Sequence, residues 1–196
     1  METITFTKNN WENKFFYAKS YRFDQEVRFK QEIDCISNSR NKEFSDGFEY
    51  INIFLKNKYQ TGITIEATLL FEHYGAPMIC FCDNFDKDNN GNYRMRNYYE
   101  IVLFNEGINV WKLWMDDNKP KWKKLLFLDF EVSENEKHQL KITFLIDGIE
   151  INCLDKTHFL KIENMSKNFY LGIGACEEIN RIYQIKLSQV TKKAKD

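Results

Sequence analysis

The sequence predicts an all-β protein, a two-sheet antiparallel sandwich, and three observations lead there. Short runs of alternating apolar and polar residues recur along the chain, the period of a strand with one face buried. Clusters of Asn, Asp and Gly separate those runs at the spacing of strand-connecting turns. Of 196 residues, 43% are hydrophobic and 16% aromatic, with only eight glycines and two prolines. That composition supplies a substantial core, since burial stabilises by roughly 25 cal/mol per Å² of apolar surface. One domain over residues 1–196 is expected, its core at about 13–188 and a frayed, lysine-bearing tail at 189–196.

The first strand expected is Tyr21 to Cys35, where Phe23, Val27, Phe29, Ile33 and Cys35 share one parity and charged residues hold the other. Ile63 to Phe71 behaves likewise, with Ile63, Ile65, Ala67, Leu69 and Phe71 facing inward. The run YYEIVLFNEGINVWKLW reads as a hairpin turning at Glu106-Gly107, which pairs Leu103 with Val110, Val102 with Trp111 and Glu100 with Leu113. That register sets Glu100 and Trp111 diagonally on one face. A connection from Asp116 to Pro120 then leads into the strand-like KWKKLLFL. Asp147-Gly148 predicts a two-residue type I′ turn pairing Ile146 with Ile149, Phe144 with Ile151 and Ile142 with Cys153. The run YLGIGA and the last strand, Ile179 to Leu187, are expected side by side.

Charge and cysteine usage bound the partners. The 28 basic and 29 acidic residues leave a formal charge of -1, so no global field draws the chain to nucleic acid or an anionic membrane, and neither is expected as a partner. The N-terminus METITFTKNNWENKFFYAK lacks the apolar stretch of a secretory signal. Cys35, Cys80, Cys82, Cys153 and Cys176 are odd in number and sit in apolar segments, the usage of reduced, buried thiols. A cytoplasmic location is expected.

Three segments carry a resemblance: GITIEATLLFEHYGAPMICFCDN, YYEIVLFNEGINVWK and FYLGIGACEEINRIYQIKL. Over roughly Thr61 to Leu187 the strand order resembles the concanavalin A-like lectin/glucanase superfamily, with Gly107 to Trp111 matching a "GhxhW" hairpin strand, h being apolar. What the resemblance implies is a jelly roll of two curved sheets whose concave face, in many members, binds or cleaves sugars. Laminarinase-type glucanases of that superfamily carry E-I-D-x-x-E, and Glu32-Ile33-Asp34-Cys35-Ile36-Ser37 comes near it. Ser37 stands where the second glutamate belongs, and a hydroxyl cannot serve as that acid/base.

Sugar recognition needs flat aromatic faces for pyranose C–H groups and planar polar side chains for the hydroxyls. Tyr98, Glu100 and Trp111 share a face in the expected register, with Arg94 and Arg96 just upstream. Trp111 is either a platform or a core residue, whereas Trp114, on the other parity, is expected in the core. Glu100 is costly to bury alone, so it faces a polar groove or pairs with a cation. The closing run Glu177-Glu178-Ile179-Asn180-Arg181 supplies Asn180 and the expected partner Arg181. If the chain is an enzyme, Glu100 with Glu177 or Glu178 is the candidate acid/base pair.

Asp86, Asp88 and Asn90 match the first half of an EF-hand loop, but Asn97 falls where the closing glutamate should be, and strands flank the loop instead of helices. Calcium is the one metal worth testing there. Cys80 and Cys82 lack a second ligand pair, and His73, His138 and His158 form no catalytic or metal pattern. Gly172-Ile173-Gly174 lacks the third glycine and helix of a dinucleotide loop, so no cofactor is expected. The leading reading is a lectin-like, saccharide-binding domain. A glycan-acting hydrolase or lyase and a non-catalytic structural or homo-oligomerising protein are the alternatives.

Overall fold

The computed structural model describes residues 1–8, 11–23, 27–38, 49–117 and 119–190. In chain order the strands are β1 (Glu2–Thr5), β2 (Phe15–Ser20), β3 (Lys30–Gln31), β4 (Ile36–Asn38), β5 (Tyr50–Gln60), β6 (Ile63–Phe71), β7 (Ala76–Cys82), β8 (Phe85–Lys87) and β9 (Tyr93–Met95). They continue with β10 (Asn97–Phe104), β11 (Gly107–Asp116), β12 (Lys119–Asp129), β13 (His138–Phe144), β14 (Gly148–Cys153), β15 (Lys156–Lys161), β16 (Asn168–Cys176) and β17 (Asn180–Gln189). A single 3-10 turn, Glu12–Lys14, is the helical element among the described residues.

These strands make two sheets. The eight-stranded sheet runs β15-β14-β13-β6-β17-β4-β3, with β1 also on β17, and the nine-stranded sheet runs β12-β11-β10-β7-β16-β5-β2-β9-β8. Among the described residues, β2 with β9 is the one parallel pair. Alternation explains the layering. On β6, Ile63, Ile65, Ala67, Leu69 and Phe71 all point into one core shared by both sheets, as the sequence predicts. Phe81 stacks on Tyr99 at 4.5 Å and meets Phe144 edge-on at 5.0 Å, locking the layers together. The nine-stranded sheet also carries a second cluster on its outward face, with Phe54, Met78, Cys80, Cys82 and Met95 under the cover of Phe16, Phe23 and Phe85. Central strand β7, APMICFC, is therefore buried on both faces.

Several expectations need correction. Within Tyr21 to Cys35, only Lys30–Gln31 is a strand among the described residues, and 24–26 lie outside them. The Glu32 N–H bonds the Cys35 carbonyl at 2.9 Å and closes a hairpin into β4, leaving Ile33 at its tip 95% exposed. Both long hairpins pair two residues away from the expected register: Phe144 faces Ile149 and Leu103 faces Ile108. Strands β16 and β17 do not lie side by side but in opposite sheets, since β16 sits between β7 and β5 and β17 between β6 and β4. The core starts before residue 13, because Ile4, Phe6 and Trp11 are buried. Its last buried residue is Leu187, although strand pairing continues to Gln189 and the Val190 N–H bonds the Gly62 carbonyl at 2.7 Å. Residues 191–196 of the expected frayed tail lie outside the described residues. Trp114 is half-buried at an open edge instead of enclosed.

Candidate functional site

The outward face of the nine-stranded sheet is covered over β5, β7 and β16 but opens over β10, β11 and β12. Pairing places Glu100 directly opposite Trp111, Val102 opposite Asn109 and Tyr98 opposite Leu113. On the next strand, Trp122 lies opposite Leu113 and Lys124 opposite Trp111. The pleat turns all of these to one side. Of these, Glu100, Val102, Asn109, Trp111, Leu113 and Trp122 floor a cavity of about 340 Å³, to which Arg22, Phe23, Tyr50, Tyr74, Cys176 and Glu177 add the walls.

Aromatic and cationic groups line its rim. The Arg22 guanidinium lies 4.4 Å from the Trp122 ring centroid and 4.9 Å from that of Phe23, and the Lys124 ammonium lies 5.0 Å from that of Trp111. Trp111 is half-buried, and Trp122 is 49% exposed. Asn109 contributes a buried Oδ1 that has no hydrogen-bond partner among the described residues.

Glu100 forms the floor. It is 6% exposed and accepts a short hydrogen bond from the Tyr50 hydroxyl. That hydroxyl lies 3.4 Å from the Tyr98 hydroxyl, which is 2.7 Å from the Ser20 Oγ, so a polar chain runs from the groove into the cover. Desolvation raises the Glu100 carboxyl to about 7, and the Tyr50 hydrogen bond and the Arg22 charge restrain the rise. Burial, reinforced by the Glu100 charge, also pushes the Tyr50 phenol up. Glu177 is raised by burial and then by its neighbour Glu178.

Two of the expected binding residues, Glu100 and Trp111, thus meet at the groove, and the rest do not. Tyr98 is 3% exposed beneath Ser20 and offers no platform. Arg94 is held by Asp88 at 3.3 Å and by the Ser20 carbonyl at 3.2 Å, and Arg96 is held by Asp86 at 3.3 Å. Arg181 is not the partner of Glu100: it lies on β17 in the other sheet and bridges Glu32, at 3.0 Å, to Glu72. Asn180 is buried in that sheet, holding the Cys176 and Glu178 carbonyls at 3.0 and 2.8 Å. Of the two loop glutamates, Glu177 lines the groove and Glu178 does not.

The other motifs have structural explanations. The near-match from Glu32 to Ser37 is a hairpin tied to Arg181, so it presents no catalytic strand face. The Asp86–Asn90 loop is a β8–β9 hairpin, in which Asp88 accepts the N–H groups of Asn90 and Asn92 at 2.9 Å each as well as the Arg94 side chain. Asp86 is engaged by Arg96 and by the Tyr21 hydroxyl at 2.9 Å. Among the described residues, no three His, Cys, Asp or Glu side chains gather to hold a metal ion.

Sequence reasoning missed Arg22, Tyr50, Tyr74, Asn109 and Trp122. Only Trp122 had a usable signal: pairing Asp116 with Lys119 across the connection places it beside Leu113.

No family model matches the chain, and no curated protein matches it in sequence. Solved structures do resemble it. A carbohydrate-binding module from Bacillus subtilis superposes with a TM-score of 0.64 at 10% identity, over 90% of this chain and 96% of that one. A legume lectin-like domain from Entamoeba histolytica gives 0.59 at 12% identity, over 95% and 97%. A family 16 glycoside hydrolase endo-glucanase from Bacteroides ovatus gives 0.59 at 9% identity, over 95% and 99%. Identities this low speak for architecture alone, and on that evidence the chain has the concanavalin A-like jelly-roll fold.

Proposed function

We propose that the chain is a saccharide-binding domain, with the sugar lying in the groove over β10, β11 and β12. The observation that carries the reading is the placement of Trp111. Its indole lines the groove directly opposite Glu100, and Trp122, one strand further out, lines the same groove, so two indoles and a carboxyl group face one cavity. Pyranose C–H faces would pack on the indoles while hydroxyls meet Glu100, Asn109 and Arg22. Structural neighbours include a carbohydrate-binding module and a lectin-like domain, which supports the same reading. Removing the platform tests it: in a calorimetric screen of neutral oligosaccharides, Trp111→Ala should weaken binding by about tenfold or more, a loss of about 1.4 kcal/mol. A wild type that binds none of them, or a variant that binds as well, removes the proposal.

One observation favours hydrolysis as a second reading. A carboxyl raised to about 7 is suited to general acid work, and Glu177 lines the same cavity. Product release from a β-glucan panel that is lost in Glu100→Gln would establish it. Binding without turnover by both forms would dismiss it. A reducing compartment belongs to the first reading, supported by five free thiols. Intact mass of native material after thiol alkylation should show all five modified once the protein is unfolded.

A further inference from the structure

A second cleft, of about 800 Å³, opens on the opposite face of β11 and β12, where the two sheets part at their β12 and β15 edges. Tyr99, Lys112, Trp114 and Lys123 line it from the nine-stranded sheet, and Lys161 and Glu163 from the end of β15 and beyond. Its charge arrangement is unusual. Lys112 and Lys123 are direct cross-strand partners, and like charges placed opposite one another destabilise a sheet. Neither these two nor Lys161 forms an ion pair with a carboxylate among the described residues. Three ammonium groups therefore face one cleft carboxylate, Glu163. Asp83 lies within the field of Lys112 but is engaged by Asn97 at 3.1 Å. In a chain of formal charge -1, this is a local concentration of positive charge around a hollow, the arrangement that focuses anions.

Rings accompany the charges. The Lys112 ammonium sits 5.6 Å from the Tyr99 centroid and 5.9 Å from that of Trp114, which is half-buried at the mouth. A bare inorganic anion needs neither an aromatic wall nor this volume. We propose that the cleft binds an acidic saccharide, with a uronate or sulfate group between Lys112, Lys123 and Lys161 and the sugar ring against Trp114. The anion would relieve the repulsion between Lys112 and Lys123. This site is separate from the groove and shares with it only the class of ligand.

The test is calorimetric titration at physiological ionic strength with a galacturonate oligosaccharide, a sulfated dextran oligosaccharide and single-stranded DNA of equal charge. At least one acidic saccharide should bind, about tenfold or more tighter than the DNA, and which one does so identifies the anionic group. The double variant Lys112→Gln, Lys161→Gln and the single variant Trp114→Ala should each weaken binding about tenfold, while the charge-keeping pair Lys112→Arg, Lys161→Arg retains it. Binding should also survive Trp111→Ala, which removes the groove platform only. The inference fails if neither saccharide binds, if the folded Gln variant binds like wild type, if the DNA binds equally well, or if Trp111→Ala alone abolishes binding. A wild type that binds an acidic saccharide but no neutral one would count against the groove and not the cleft.

Discussion

A carboxyl group at the foot of an aromatic groove meets opposing demands, and Glu100 shows how they balance. Water exclusion favours its neutral form, while the Tyr50 hydroxyl and the Arg22 charge favour the ionised one; desolvation is the larger effect, so the carboxyl titrates at about 7 instead of near 4.5. A pKa raised by folding means that the native state prefers the protonated group. The associated stability is fully present below about pH 4.5 and is lost as pH rises through about 7. Between pH 4 and pH 8, wild type should therefore lose about 3 kcal/mol of unfolding free energy relative to Glu100→Gln, measured by urea denaturation at several pH values. Parallel pH profiles for the two proteins would show that the carboxyl is not desolvated as described. The same titration changes the groove, because neutral Glu100 can donate a hydrogen bond to a sugar oxygen and the carboxylate can only accept one.

Hairpins show which features of an element are legible in a sequence. Reading Glu106-Gly107 and Asp147-Gly148 as turn centres misplaces both registers by two residues, yet every side chain stays on its correct face, because a slip of two restores the pleat. The sequence therefore puts Glu100 and Trp111 on one face without showing that the two are directly opposed. The slip arises from taking glycine as a turn signal. Gly148 has no positive φ; it begins β14, where a Cβ would meet the Leu160 carbonyl oxygen at 2.1 Å, so crowding by β15 is what requires glycine. Gly62 is the opposite case, with φ at +93° and open space around its missing Cβ. Gly148→Ala should consequently cost about 2 kcal/mol or more and Gly62→Ala about 1 kcal/mol, compared by thermal unfolding. The reverse order would mean that backbone freedom, and not close strand approach, governs Gly148. Tyr21 to Cys35 failed for another reason. Its alternation continues through the Glu32–Cys35 turn, and periodicity contains no mark of a reversal when polar residues already occupy every second position.

At the scale of the whole molecule, the sandwich form and its shared core were readable from alternation, but the assignment of strands to sheets was not. Adjacency in sequence suggests that β16 and β17 pair, whereas this sandwich sends some consecutive strands, β5 and β6, β6 and β7, and β16 and β17, to opposite layers. The groove was only half legible for a related reason. Its floor comes from the contiguous β10–β12 segment, but Arg22, Tyr50 and Tyr74 arrive from segments whose approach depends on long-range packing. The β16 to β17 crossing is short, and Glu177 makes it with a left-handed φ of 66°. Two asparagines hold it. The Asn180 N–H donates to the Asn38 Oδ1 at 2.8 Å, the Asn180 Nδ2 donates to the Cys176 and Glu178 carbonyls, and the Asn38 Nδ2 donates to the Glu178 carbonyl at 2.9 Å. Asn180→Ala removes the side-chain donor and should cost about 2 kcal/mol in urea unfolding. Asn180→Asp should cost more, because it replaces the donor with a buried carboxylate facing carbonyl oxygens. Cys176 and Glu177 line the groove at the start of this crossing, so loosening it should also weaken saccharide binding in molecules that remain folded. If Asn180→Asp proves as stable as wild type, the crossing is held by packing alone, and the asparagine pair is incidental to how the two sheets are joined.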